Sequence, residues 1–168
     1  VINRGESVLF LLPEINLTPQ FVKTFSEYLS CEVLSYHSGV NASQKFHIWK
    51  KLKESEGPLF VMGVRSSVFL PIENLGLVIV DEEHDQSYKQ NEGLLFSARD
   101  LAIKRADLLK IPIILGSGTP SLRSLHQCEV GKYIQVLIDE RVHSQTPPEI
   151  SIHDTNGMML NCGLSDLS

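Results

Sequence analysis

The sequence predicts an α/β protein whose mainly parallel β-sheet is covered by helices on both faces. Short runs of aliphatic and β-branched residues alternate with amphipathic helical patterns, which is the element order of βαβ units. The strand runs are apolar at nearly every position, as is typical of strands that are buried on both sides. Because the chain has 168 residues, a single domain is expected.

The first half of the chain is expected to form three strands and two helices. The strands are expected at residues 8–12, 32–36 and 59–62, and the helices at residues 19–29 and 42–55. Thr18 is the expected N-cap of the first helix because Pro19 occupies the first helical position. In the second helix, Phe46, Trp49 and Leu52 share one face and lysines occupy the other. Trp49 is therefore expected in the core.

The second half is expected to form three strands and two helices. In chain order, these elements are expected at residues 77–80, 97–110, 113–115, 120–130 and 133–138. Ser97 with Asp100 three residues later predicts a capping box, and Thr119 is the expected cap of the last helix. A Pro-Pro pair and polar residues then indicate a linker or an edge strand near residues 149–153. Residues 1–143 are accordingly expected to form the domain, and residues 144–168 the linker.

Composition argues against several classes of protein. A net charge of −5 and a pI of about 5.7 do not suit a protein whose whole surface binds DNA, so a nucleic acid would be held by a local patch. No apolar run approaches the ~20 residues of a membrane span, and no membrane partner is expected. Cys31, Cys128 and Cys162 are far apart and indicate neither a zinc site nor a disulfide framework. A reducing, cytoplasmic location is therefore expected.

Four unusual polar clusters each follow an expected strand. They lie at residues 13–14 (PE), 63–65 (GVR), 81–84 (DEEH) and 116–119 (GSGT). Because ligands of open α/β sheets bind at the carboxyl ends of the strands, the clusters are expected to form one functional site. The first two clusters, extended to Thr18 and Ser66, would present backbone N–H groups, hydroxyls and Arg65 to the phosphates of a nucleic-acid strand.

The DEEH cluster suits the chemistry of a nucleotide site. A carboxylate at a strand tip beside phosphates, here Asp81, is placed to hold a magnesium ion. The adjacent Glu82 can orient or deprotonate an attacking water. The alternative interpretation is a solvated acidic turn. The hydroxyls of Ser117 and Thr119 similarly allow two interpretations, a segment that senses the magnesium site or a tight turn with a hydroxyl cap.

A polar loop at residues 88–99 interleaves aromatic and cationic side chains. It carries Tyr88, Lys89, Phe96 and Arg99, a combination that suits the stacking of unpaired bases and contact with phosphates. The alternative is that Phe96 belongs to the core and Arg99 to the surface of a helix.

Six strings follow one another along the chain: LLPEINLTPQ, YHSG, GVRSSVF, LGLVIVDEEHDQSYKQNEG, ARDLA and IILGSGTPSL. In this order they resemble the first motor lobe of the PriA-type primosomal replication-restart helicases of superfamily two. The resemblance covers residues 6–164, and the DEEHDQSYKQ string is its most specific part. It implies a RecA-like P-loop NTPase lobe.

The resemblance also implies a role for each matching residue. Asp81 and Glu82 correspond to the acids that contact the nucleotide, Asp81 with its Mg²⁺ and Glu82 with the attacking water. His84 would link this box to the coupling hydroxyls of Ser117 and Thr119. The residues implied to contact DNA are Glu14, Thr18, Arg65, Ser66, Tyr88, Lys89 and Arg99. The last three lie in a loop that reports single-stranded DNA to the ATP site.

The whole protein implied by the resemblance is an ATP-dependent 3′-to-5′ DNA helicase that restarts replication at stalled forks. Its cofactors would be ATP and Mg²⁺, with zinc bound only in a region outside this chain. Its partners would be forked and single-stranded DNA, other primosome proteins and single-strand DNA-binding protein. The 168 residues contain no GxxxxGK[ST] motif. They are therefore expected to lack the P-loop strand and, by themselves, the ATPase activity.

Four positions depart from the family pattern. Val64 and Gly118 stand where the family usually has Thr and Ala, and Leu94 and Ser97 alter the end of the aromatic loop. Two alternatives from other classes of protein also stay open. One is a stand-alone nucleic-acid-binding or interaction module without a P-loop. The other is a metal-dependent hydrolase that uses the DEEH acids and histidine with His37 as a further ligand.

Overall fold

The computed structural model describes residues 1–138, which form a parallel sheet with helices on both faces. The strands of the main sheet are β1 (Ser7–Leu11), β2 (Glu32–Tyr36), β3 (Leu59–Gly63), β4 (Leu75–Val80) and β7 (Ile113–Leu115). A separate antiparallel pair consists of β5 (Lys89–Gln90) and β6 (Phe96–Ser97). The helices are α1 (Pro19–Tyr28), α2 (Ala42–Glu54), α3 (Ala98–Leu109) and α4 (Leu122–Glu129).

The main sheet has the strand order β2-β3-β1-β4-β7, and all four of its pairings are parallel. The five strands expected between residues 8 and 115 are therefore confirmed. Short 3₁₀ turns follow β1 at Glu14–Asn16 and β3 at Arg65–Phe69. These turns overlap two of the polar clusters, so the clusters lie at the carboxyl ends of their strands.

Two apolar cores lie on opposite faces of the sheet. Leu9 and Leu11 of β1 belong to one core, which also contains Leu52 of α2 and Ala102 of α3. Val8, Phe10 and Leu12 belong to the other core, against which the phenylalanines of α1 pack. Because alternate residues of one strand enter different cores, every residue of β1 is buried. This arrangement confirms the predicted sheet with helices on both faces.

The helix starts agree with the sequence at Thr18, agree in part at Ser97, where the Asp100 carboxylate pairs with Arg99 and Arg123 instead of completing the expected capping box, and differ at a third position. The Thr18 hydroxyl accepts a hydrogen bond from the Phe21 N–H, and the Ser97 hydroxyl accepts one from the Asp100 N–H. The last helix was expected to begin at Pro120 with Thr119 as its cap. Instead α4 begins at Leu122, and Ser121 is the cap because its hydroxyl accepts from the Ser124 N–H.

Two other expectations from the sequence are wrong. Trp49 is 45% exposed and Phe46 is 64% exposed, because α2 turns Ile48 and Leu52 toward the sheet instead. Residues 133–138 are irregular and do not form a strand. Aliphatic composition favours a strand only where a neighbouring strand completes the ladder of hydrogen bonds.

The helices and strands named above all lie within one compact unit, Val1–Tyr133. The expected boundary at residue 143, the linker and the edge strand near residues 149–153 lie outside the described residues.

Candidate functional site

Three of the predicted polar clusters are held side by side at the carboxyl edge of the sheet. The Asp81 N–H donates to the Leu11 carbonyl at 2.9 Å, which links the end of β4 to the end of β1. The Gly116 N–H donates to the Val80 carbonyl at 2.8 Å, which links β7 to β4. The DEEH cluster therefore lies between the segment that follows β1 and the segment that follows β7, as expected for a site at this edge.

The DEEH cluster forms a tight turn with a strained backbone. Glu82 has a φ of 45°, a left-handed conformation that a residue with a Cβ adopts rarely. The Glu83 N–H donates to the Gly116 carbonyl at 3.0 Å and the Asp85 N–H donates to the Glu82 carbonyl at 2.8 Å, so hydrogen bonds on both sides hold the turn. Such strain costs about 1–3 kcal/mol and is typical of functional sites, where the surrounding structure enforces it.

His84 connects the DEEH turn with the GSGT segment. Its Nδ1 lies 2.7 Å from the Ser117 hydroxyl and 3.5 Å from a Glu82 carboxylate oxygen. Its Nε2 lies 3.4 Å from the Thr119 hydroxyl, and the Thr119 N–H donates to the Ser117 hydroxyl at 3.0 Å. The structure thus brings together four of the five predicted catalytic residues, and the fifth, Asp81, precedes Glu82 in the same turn. The imidazole therefore contacts side chains of both segments.

A buried ion pair lies beneath this turn, and sequence reasoning missed it. The carboxylate of Glu83, which is 3% exposed, accepts hydrogen bonds from the Arg99 guanidinium at 2.5 Å and from the Ser121 N–H at 2.6 Å. Arg99 also donates to the Ser124 hydroxyl at 2.6 Å. Burial opposes ionisation of Glu83, but the hydrogen bonds from Ser121 and the charge of Arg99 outweigh it, so the pKa of Glu83 lies below its ordinary value. The pair fastens the DEEH turn to α3 and to the start of α4.

Tyr88 and Arg99 were expected to contact DNA, but the side chains of both residues are buried. Tyr88 is 2% exposed and Arg99 is 7% exposed, so neither side chain can stack on a base or reach a phosphate in this conformation. The Tyr88 hydroxyl donates to the Asp81 carbonyl at 2.6 Å. Both residues therefore hold the DEEH turn from below, which makes them positioning residues. Lys89 is exposed, as expected, and Phe96 is half-buried against the Phe69 ring.

Tyr88→Phe tests this positioning contact. The substitution keeps the buried ring and removes the hydroxyl that satisfies the Asp81 carbonyl. It should lower the free energy of unfolding by about 1–2 kcal/mol. Denaturant unfolding of the chain, with Tyr28→Phe on the exposed surface of α1 as the control, measures the difference. Equal stability of the two variants would show that the hydroxyl does not support the turn.

The other residues expected to contact DNA lie on exposed turns or beside them. Ser66 is exposed, and Arg65 donates from its Nη1 to the Lys89 carbonyl at 2.8 Å, which joins the turn after β3 to the loop that carries Lys89. Thr18 caps α1, and the Glu14 carboxylate accepts a hydrogen bond from the Ser38 hydroxyl. Their hydroxyls, the Arg65 guanidinium and the Lys89 ammonium offer donors to phosphates, whereas Glu14 can only accept hydrogen bonds.

The donor set suits a magnesium ion that is shared with a nucleotide better than a protein-bound metal centre. Within residues 1–138, no group of three or more His, Cys, Asp or Glu side chains could hold a metal. The hydrolase alternative requires such a group and is not favoured. Asp81 is half-buried at the tip of β4 and offers a single carboxylate. Mg²⁺ commonly takes one or two carboxylates together with waters and substrate phosphates.

Among the helices of residues 1–138, none has the length and apolar character of a membrane span.

Several known proteins are similar to this chain in sequence. The model of the DEAD/DEAH box helicase family matches residues 1–128. The chain is 40% identical to the replication restart protein PriA of Bacillus subtilis over 96% of this chain and 20% of that protein. It is 43% identical to PriA of Rickettsia felis over 90% of this chain and 23% of that protein. It is 37% identical to PriA of Haemophilus influenzae over 98% of this chain and 22% of that protein. The chain thus spans about a fifth of the length of these curated relatives.

Proposed function

We propose that this chain, which belongs to the DEAD/DEAH box helicase family, is part of the first motor lobe of an ATP-dependent 3′-to-5′ DNA helicase that restarts replication at stalled forks. The observation that carries the proposal is the His84 imidazole, which joins the DEEH turn to the hydroxyls after β7. In a motor, the residues that meet the nucleotide must be coupled to residues that move. The relatives are named replication restart protein PriA, which supports replication restart as the setting.

The proposed division of labour in ATP hydrolysis follows the geometry of the turn. Asp81 would hold the Mg²⁺ of bound ATP, an ion that neutralises charge on the phosphates when it is bound. Glu82, presented by its left-handed backbone and 3.5 Å from the His84 imidazole, would orient the attacking water and accept its proton. The phosphate cradle of a P-loop would come from a part of the whole protein outside these 168 residues.

The proposed path of the DNA follows the exposed groups of the same edge. Thr18, Arg65, Ser66 and Lys89 would contact phosphates of one strand, with Glu14 accepting hydrogen bonds beside them. Forked and single-stranded DNA are the proposed substrates. Other primosome proteins and single-strand DNA-binding protein are proposed partners of the whole protein, on the strength of the family resemblance alone.

Unwinding by the whole protein tests this function. With ATP and Mg²⁺, it should separate duplexes that carry a 3′ single-stranded tail and leave duplexes with only a 5′ tail intact. His84→Ala removes hydrogen bonds worth about 1–2 kcal/mol, so the unwinding rate should fall by about tenfold. His126→Ala, which removes an exposed imidazole from α4, is the matched control and should leave the unwinding rate unchanged. Unwinding that needs no ATP, or that prefers 5′ tails, would contradict the proposal.

A further inference from the structure

The outer face of α2 carries aromatic and cationic side chains that belong to neither apolar core. We define this face by Phe46, Trp49, Lys50 and Lys53, whose spacing of three, four and seven residues places them on one side of the helix. The side that packs on the sheet is different and contains Ile48 and Leu52. The outer face is therefore distinct from the side that holds α2 to the sheet.

Both aromatic rings of the outer face lie open to solvent. Phe46 is 64% exposed, and Trp49, the one tryptophan of the sequence, is 45% exposed. Exposed aromatic rings that lie together on a surface are characteristic of interaction sites. The Lys53 ammonium lies over the Trp49 ring, 4.7 Å from its centre, so a base that stacks on this face of the ring must displace Lys53 toward the phosphates.

The charge of α2 is opposite to that of the chain. The helix contains four lysines and one glutamate, whereas the whole chain carries a net charge of −5. Lys51 is paired with Glu32 at 2.6 Å, but Lys50 lies 3.8 Å from Glu54 with both side chains more than half exposed, a contact worth little in water. Lys50 and Lys53 are thus available to an anionic partner, and the local charge favours one.

The location of the outer face separates it from the carboxyl edge. α2 follows β2 and returns along the sheet, so its residues progress away from that edge. At about 1.5 Å per residue, Lys53 lies roughly 17 Å along the axis from the start of α2 at Ala42. A ligand on this face would occupy a second site.

We propose that the outer face of α2 binds single-stranded nucleic acid, with bases stacked on Trp49 and Phe46 and phosphates held by Lys50 and Lys53. Stacking on an aromatic ring accepts any base, and lysines beside the rings match the regular charge of the backbone. An acidic peptide could pair with the lysines, but it has no planar bases to stack on the two rings. The depression beside this face, about 390 Å³ in volume, is lined by His47, Lys50, Lys51, Glu54 and Ser55, and its two lysines suit an anionic ligand. The inference takes only the class of ligand from the proposed function.

The single tryptophan permits a direct test with the 168-residue chain and no ATP. Titration with an oligothymidine strand of about twelve nucleotides should quench the Trp49 fluorescence to a plateau. Binding should weaken as salt increases. Replacing both Lys50 and Lys53 with alanine should reduce the slope of log K against log salt by about 1.4, about 0.7 for each lost phosphate contact. Lys23→Ala, in an exposed i,i+4 pair of α1, is the matched control and should leave the slope unchanged.

The outcomes separate this site from the proposed function. Arg65→Ala at the carboxyl edge should leave the Trp49 quenching intact, whatever it does to unwinding by the whole protein. If anisotropy of a labelled strand shows binding while the Trp49 fluorescence stays constant, the strand binds elsewhere and the proposal is overturned. It is also overturned if the strand does not bind, or if polyglutamate quenches Trp49 and the oligothymidine does not.

Discussion

Replacing Arg99 with alanine should lower the free energy of unfolding of the chain by about 3–5 kcal/mol. The guanidinium is 7% exposed and supplies the charge that balances the buried carboxylate of Glu83. Without it, Glu83 must either stay charged in a poorly solvated place or take up a proton, and both states are less stable than the native pair. The Ser124 hydroxyl also loses its charged partner. Denaturant unfolding at neutral pH measures the loss.

Arg123→Ala is the matched control for this prediction. Arg123 pairs with Asp100 at 2.9 Å, but its side chain is 68% exposed, so its removal should cost about 0–1 kcal/mol. Equal losses in the two variants would show that the buried pair has no special weight. If Arg99→Ala does not fold at all, Arg99→Lys keeps the charge without the planar guanidinium and should fold with an intermediate loss.

The pH dependence of stability gives a second measurement on the same pair. The pKa of Glu83 is lower in the folded chain than its ordinary value, so the folded state binds this proton more weakly than the unfolded state does. The stabilisation is therefore complete above the ordinary glutamate pKa of about 4.3 and is lost as the pH falls through the folded value. Glu83→Gln should remove this component, so its stability deficit relative to the native chain should shrink below about pH 4.

The strands and the carboxyl edge could be predicted because their signals are local. An apolar run such as residues 8–12 reports burial on both faces of the sheet, and a parallel sheet places the residue after each run at the same edge. The grouping of Glu82, His84 and Ser117 then follows from the neighbouring positions of β4 and β7. The segment after β7 bends at residues 118–119, and the Ser117 hydroxyl accepts a hydrogen bond from the Thr119 N–H.

The predictions from the sequence were wrong for residues whose structural partners are distant in sequence. Arg99 on an isolated α3 resembles a surface cation, and only the tertiary fold places Glu83 and Ser124, 16 and 25 residues away in sequence, against it. The Tyr88 hydroxyl similarly finds a backbone carbonyl that no side-chain pattern reveals. For Trp49, two helical stripes were compatible with the sequence. In the structure, Ile48 and Leu52 are the side chains of α2 that pack against the sheet. A buried charge requires a partner. The acidic string that contains Glu83 was therefore the sequence feature that could have indicated a buried ion pair.

The second large effect is expected at Glu82, and the measurement is ATP hydrolysis by the whole protein with single-stranded DNA present. If Glu82 activates the attacking water, Glu82→Gln should lower the DNA-stimulated kcat by about 10²-fold or more, because general base catalysis contributes about 10²–10⁴. Asp81→Asn should do the same by weakening the hold on Mg²⁺. Affinity for DNA should stay nearly constant, since the exposed groups that would contact the strand are other residues.

Glu73→Gln provides the matched control, because Glu73 is an exposed acid before β4, at the opposite end of that strand from the DEEH turn. The account predicts that Glu73→Gln hydrolyses ATP at the native rate, while Glu82→Gln binds DNA normally and turns over at least about a hundredfold more slowly. Near-native turnover by Glu82→Gln would contradict the central claim that the DEEH turn at the carboxyl edge carries the ATPase chemistry.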